Sequence, residues 1–200
     1  INLSAVAHNT RAVLEIARVP LMAVVKSDAY GFGAIEVART ALDAGASQLA
    51  VARFNEARIL RQAGITAPIL VFGMATPAEV DEAIALGVTL TLHSFDTAAM
   101  FAARTSSKVD ALHVHLKVDT GFGRLGVLPA ETVKLAQTCR QMDGIQIDGI
   151  YSHLAMADEK PDHPVTMQQI QRFETVLRDL EAADLRPTWA HLANSAAAFG

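Results

Sequence analysis

The sequence predicts an α/β fold of parallel strands with helical crossovers, and a (β/α)8 TIM-type barrel in preference to an open doubly wound sheet. The apolar runs are short, each is followed by a stretch of helical periodicity, and roughly seven such units follow one another in order. Short strands buried on both faces read as continuous apolar runs and need crossovers, which helices supply. A complete barrel takes eight units and roughly 250 residues, so a chain of 200 residues falls about one strand short.

An opening helix is predicted over residues 3–16 from Val6, Val13, Leu14 and Ile16 at helical spacing, with Ser4 near its N-cap. The first strand follows at 21–25, a helix at 34–44 closed by Gly45, and a second strand at 48–52. Helices at 55–63 and 77–86, closed by Gly64 and Gly87, alternate with strands at 69–72 and 88–92. A helix at 96–104 leads to a strand at 112–117, a helix at 129–142 to a strand at 145–153, and a long amphipathic helix at 166–183 to a last strand at 188–192. No internal repeat, low-complexity segment or linker divides the chain, which is expected to form one domain over 1–200, truncated and without a C-terminal β-domain. It opens on Ile1 and ends on Ala-Ala-Ala-Phe-Gly, so both ends read as cut.

Composition narrows the function classes. With 51% hydrophobic and 19% charged residues and a net charge of −4, the chain reads as a globular protein with a sizeable core. Acidic and basic residues are interspersed, which leaves no footprint for nucleic acid or an anionic membrane. No apolar run approaches the roughly 18 residues of a membrane span. Cys139 is the only cysteine, and a cytoplasmic setting is expected.

Polar residues that interrupt apolar runs fall where strands end. Lys26 follows the first strand, Lys117 and Asp119 the fifth; His153 ends the sixth, and His191, Asn194 and Ser195 follow the seventh. In a barrel those ends meet on the face that carries the active site, so residues distant in sequence are expected to converge. Lys26, behind Ala23-Val24-Val25, is expected to be desolvated, which favours the free amine and Schiff-base chemistry. Gly31 and Gly33 would let the loop turn past a ligand, and Tyr30 offers a hydroxyl to a phosphate. On these residues alone a snorkelling lysine before a glycine turn is an equal alternative.

The run 121–126 spells G-x-G-x-x-G, but Arg124 interrupts it and the next helix starts later, so it is not a dinucleotide fingerprint. Lys117, Asp119 and Arg124 read instead as a charged cluster, with Arg124 able to donate to an oxyanion; a structural ion-pair network is the alternative. His113 and His115 alternate along a strand, no ligand-spaced His or Cys pair exists, and no metal is expected. Asn194 and Ser195 suit an anion. His8, His93 and His163 are expected at the surface or in turns.

Four segments taken together resemble the N-terminal domain of the alanine racemase family, a group of fold-type III pyridoxal 5'-phosphate (PLP) enzymes. They are Ala23-Val24-Val25-Lys26-Ser27-Asp28-Ala29-Tyr30-Gly31, residues 117–126, Tyr151-Ser152-His153-Leu154-Ala155, and His191-Leu192-Ala193-Asn194-Ser195-Ala196. The resemblance implies that Lys26 carries the cofactor as a Schiff base and acts as base on one enantiomer. It implies cofactor contacts from Tyr30 and Ser195 to the phosphate, from Arg124 beside the phenolic oxygen, and from Asn194 and His153. Lys117 is similar to a lysine carbamylated in many members, and His153 and His191 would orient groups on the remaining strand and the partner subunit. The opposite base, a tyrosine, would come from the C-terminal domain of the other subunit of a homodimer.

The implied reaction interconverts L- and D-alanine through an external aldimine and a carbanion, making D-alanine for peptidoglycan; the 200-residue chain by itself is expected to be inactive. Phe32 stands where the family usually has histidine and Phe122 where methionine is common, which leaves the substrate open. A racemase of serine or of broad specificity, and a non-catalytic PLP-binding barrel, are the alternatives.

Overall fold

A computed structural model describes residues 1–105, 111–160 and 162–199. The chain divides into two compact units, Ile1–Thr91 with Phe199, and Leu92–Ala198. In each, parallel strands alternate with helices.

The first unit opens with α1 (Leu3–Ala17), followed by β1 (Met22–Val24), a short helical segment α2 (Lys26–Gly31), α3 (Ala34–Asp43) and β2 (Gln48–Val51). Then come α4 (Phe54–Gln62), β3 (Ile69–Val71), α5 (Pro77–Leu86) and β4 (Thr89–Leu92). The strands pair in parallel and in chain order, Ala23 with Leu49, Ala50 with Leu70 and Val71 with Leu90. Leu49, Val51, Ile69 and Val71 are fully buried, each burial worth about 1.5–3 kcal/mol. Helices lean on this sheet through stripes at helical spacing, Ala38 and Ala41 on α3 and Phe54, Ala57 and Leu60 on α4. The cap of α1 is Asn2, whose side chain accepts from Ala5 N at 3.1 Å, and not Ser4, which lies inside the helix. A capping box of Thr76 and Glu79 starts α5, with Pro77 in its first turn and Gly87 in the left-handed conformation at its end.

The second unit holds α6 (Phe95–Ala102), β5 (Leu112–Lys117), α7 (Thr132–Arg140), β6 (Ile145–Tyr151), α8 (Pro164–Ala182), β7 (Trp189–His191) and α9 (Ser195–Phe199). A 3-10 turn, Pro129–Glu131, precedes α7, so the single helix expected from 129 starts as a tighter turn. β5 pairs with β6 and β6 with β7, all parallel. The β5–β6 register slips between Val114 and His115, so Asp148 is passed over and Gly149 comes opposite His115. His163 is the N-cap of α8, its side chain accepting from Val165 N. Two sequence expectations shift: His153 lies two residues past the end of β6, and His191 is the last residue of β7 itself. Neither α2 nor α9 was visible in the apolar periodicity. Among the described residues no helix is long and apolar enough to cross a membrane.

Candidate active site

In the first unit the site begins where β1 ends. Val25 is buried at 1% exposure and its N–H closes the ladder on Ala50 O at 2.8 Å. Lys26 follows and is half-buried, less withdrawn from water than its apolar approach implied, with Nζ 5.8 Å from the centre of the Tyr30 ring. Ser27, Asp28, Ala29 and Tyr30 then adopt φ values between 52° and 58°, a left-handed helical run without a single glycine. Each such residue costs roughly 1–2 kcal/mol, because Cβ crowds the following carbonyl, and strain of this kind persists only where the surroundings over-determine it. Here hydrogen bonds supply that determination. Ala29 N donates to Val25 O, Gly33 N to Asp28 O, and Ala34 N to Asp28 Oδ1 at 2.7 Å. Ser27 N donates to Glu56 Oε1, while Glu56 Oε2 accepts from Ala52 N and Arg53 N at 2.9 and 2.8 Å. The exit needs φ of 87° at Gly31 and 91° at Gly33, which only glycine adopts cheaply. Tyr30 and Phe32 stand 60% and 61% exposed on either side of Gly31.

In the second unit a buried polar cluster lies across the ends of β5, β6 and β7. Lys117 is 6% exposed with Nζ 4.6 Å above the Tyr151 ring. Burial, with help from the Arg124 charge and against that of Asp119, pushes its pKa down to about 8. The other face of this cluster is aromatic, the Tyr151 and His191 rings stacking at 4.8 Å and 3°. His191 Nε2 lies 2.9 Å from His115 Nδ1, so one of the two nitrogens donates to the other. Burial holds both imidazoles neutral, with pKa values lowered to about 4 for His115 and about 3 for His191. The ring of His115 fits because its neighbour is glycine; a Cβ on Gly149 would lie 2.6 Å from that ring.

Beyond β5 the loop folds round Asp119, whose carboxylate accepts from the N–H groups of Gly121, Phe122 and Gly123. Burial alone would raise this carboxyl, but those three donors and Lys117 outweigh it and hold its pKa below the usual range. Arg124 is exposed and stacks on Phe122 at 4.5 Å, and Phe122 meets His153 edge-on at 4.9 Å. Gln169 on α8 fixes the sixth-strand loop, donating to His153 O and accepting from Ala155 N, while Arg172 donates to Thr120 O. Asn194 Oδ1 accepts from Ala197 N at 3.0 Å, so this amide caps α9, and Ser195 opens that helix exposed.

Lys26 and Tyr30 thus belong to the first unit, and Lys117, Arg124, His153, His191, Asn194 and Ser195 to the second. The structure links Arg124 to His153 through Phe122, and Lys117 to His191 through Tyr151. Sequence reasoning missed His115, Tyr151, Glu56 and Gln169, which act on site residues without standing out in a motif. The one signal for His115 in the sequence is a histidine in an apolar strand, which simple alternation with His113 also explains. Among the described residues no three His, Cys, Asp or Glu side chains cluster to hold a metal.

The fold and this cluster of strand-end residues define a parallel α/β chain of TIM-barrel type, incomplete at seven strands among the described residues. Solved structures give the same answer. The alanine racemase of E. faecalis superposes over 99% of this chain and 53% of its own with a TM-score of 0.91 at 33% identity, and that of a D-cycloserine-producing Streptomyces lavendulae does so with 0.91 at 36%. The sequence profile of the alanine racemase N-terminal domain matches residues 1–200. Alanine racemases from Desulforamulus reducens and Symbiobacterium thermophilum are 43% and 41% identical over 98% of this chain. The chain belongs to the alanine racemase family. It spans about half the length of these relatives, 54% and 52%.

Proposed function

We propose that this chain is the cofactor-bearing N-terminal part of a PLP-dependent alanine racemase, cytoplasmic and homodimeric at full length, which supplies D-alanine for peptidoglycan. The observation that carries the reading is the family match across residues 1–200, with Lys26 held where β1 ends at the head of a left-handed turn.

The donor set suits PLP: a half-buried primary amine for its aldehyde, exposed hydroxyls of Tyr30 and Ser195 for its phosphate, and an exposed guanidinium, Arg124, for its phenolic oxygen. When bound, PLP supplies an electron sink for the charge left at the substrate's α-carbon. Lys26 would hold it through Nζ and would take or return the α-proton on one face at that same atom. The opposite face needs a second base, assigned by the resemblance to a tyrosine of the partner subunit's C-terminal domain. Arg124 stacks on Phe122, whose ring meets His153 edge-on; His153 and Asn194 are further cofactor contacts that the resemblance implies. His191, neutral and stacked on Tyr151, serves to orient neighbouring groups. With a pKa of about 8, Lys117 keeps a useful fraction of free amine near neutral pH, the form that adds carbon dioxide to give a carbamate and a proton.

The test is borohydride reduction of the full-length, PLP-loaded protein, followed by peptide mapping. A pyridoxyl group on Lys26, and formation of D-alanine from L-alanine that is lost in Lys26→Ala, are expected. Reduction that labels another lysine, or an unchanged rate in that variant, would overturn the assignment.

A further inference from the structure

We propose that Glu56 is a positioning residue for Lys26, holding in its left-handed form the turn that carries both the Schiff-base lysine and Tyr30. The proposal rests on the function just given.

The β1–β2 ladder ends at Val25, whose N–H bonds Ala50 O. Ser27, the first residue of the left-handed run, finds its acceptor instead in Glu56, twenty-nine positions along the chain. That carboxylate cannot swing away freely, since its other oxygen accepts from both Ala52 N and Arg53 N. One side chain therefore ties the end of the first strand to the start of α4. Packing cannot do this work, because Ser27, Asp28 and Tyr30 are exposed and only Ala29, at 3%, is buried. Hydrogen bonds must hold the strained backbone, and those to a charged acceptor are roughly twice as strong as neutral ones. Glu56 contributes the bond at the head of the run, next to Lys26, and Asp28 Oδ1 with Ala34 N closes the far end. Once this bond is lost the run is free to relax toward ordinary backbone, and the aim of Lys26 and Tyr30 changes with it.

Glu56 is also the third residue of α4, where a glutamate that reaches back to the N-cap is an ordinary helix start. Its contact with Ser27 is the part that a cap does not need. Glu79 on α5 makes the same kind of cap, accepting from Thr76 N at 2.8 Å, and no bond from it to α2 is found. The two glutamates form a matched pair. Glu56 accepts through both oxygens, so Glu56→Gln leaves a backbone N–H without its partner; Glu79 accepts from Thr76 N and Thr76 Oγ1 through Oε2 alone, so Glu79→Ala is the change that imposes a like loss at the start of α5.

The experiment compares Glu56→Gln, Glu79→Ala and wild type as full-length protein, with two readouts. Amide hydrogen exchange, measured without cofactor, is expected to accelerate across residues 27–30 in Glu56→Gln only. Racemisation by the PLP-loaded protein is expected to fall on the order of tenfold in kcat with a smaller change in KM, accompanied by an altered circular dichroism of the cofactor band. Glu79→Ala should lose thermal stability through its cap and keep kcat and the band. Equal behaviour of the two variants in exchange, kcat and band overturns the proposal. Faster exchange in Glu56→Gln, together with a PLP-loaded wild type that forms no Lys26 adduct, overturns the functional reading, and the role for Lys26 with it, while the clamp itself stands.

Discussion

The two lysines at strand ends differ in burial, Lys26 half-buried and Lys117 buried, and that difference sorts their chemistry. Lys26 stays half-open at the head of a turn, where an aldehyde can reach it, whereas Lys117 is roofed by the Tyr151 ring and has its charge suppressed. Behind Lys117 the His115–His191 contact depends on a residue with no side chain. Gly149→Ala would place a methyl 2.6 Å from the His115 ring, backbone-fixed on the one side and ring-fixed on the other. Overpacking of this kind costs typically 1–3 kcal/mol. Thermal unfolding should show a loss of that size, and the histidine side-chain resonances of His191 should move as its partner is pushed away. A variant as stable as wild type with unmoved resonances would mean that the ring has room the geometry denies it.

At the scale of the element, what propensity encodes was readable and what tertiary bonds impose was not. The strand 112–117 and the helix 77–86 match their predicted limits, because β-branched and apolar runs, a Thr-Pro-x-Glu start and a terminal glycine are local signals. The left-handed run is the opposite case. Nothing in Ser-Asp-Ala-Tyr prefers φ near 55°, so only Gly31 and Gly33 betrayed a tight turn, and Glu56, which holds it, is remote in sequence. Most of the candidate site was legible as residues, since lysine and histidine among apolar neighbours stand out; the pairing of His115 with His191, seventy-six positions apart, was not. The strain in α2 makes a specific prediction. Ser27→Gly removes a left-handed penalty of roughly 1–2 kcal/mol and adds up to about 1 kcal/mol of unfolded-state entropy, so it should be neutral to slightly stabilising. Ser27→Val puts a β-branched side chain at the same φ and should destabilise by more than about 1 kcal/mol. Denaturant unfolding of the two variants measures the gap, and a valine variant equal to the glycine variant would show that the run is not strained.

For the whole molecule the buried imidazoles set an acid limit. His115 and His191 titrate near 6.5 when unfolded and are lowered to about 4 and about 3 when folded, so the folded state prefers them neutral. His93 is shifted in the same direction by burial. Between those values and 6.5 the unfolded chain binds more protons, so stability rises with pH, is fully present above 6.5, and is lost as pH falls toward 4. Each histidine contributes a slope of at most about 1.4 kcal/mol per pH unit inside its window. Lys117 adds nothing there: with a folded pKa of about 8 against 10.5 it is protonated in both states below pH 6.5, and its influence falls between 8 and 10.5, where stability climbs with pH. Asp119, depressed in the fold, acts in the same sense as the histidines but at lower pH, below its ordinary 3.8. The slope between pH 6.5 and 4.5 is therefore the histidines' own signature. Full-length His115→Phe, which keeps a ring beside Gly149, should be less stable than wild type at pH 7.5 because His191 loses its partner. Its stability should fall less steeply over that window, so the two curves converge toward acid; parallel curves would show that the burial of His115 plays no part in the acid response.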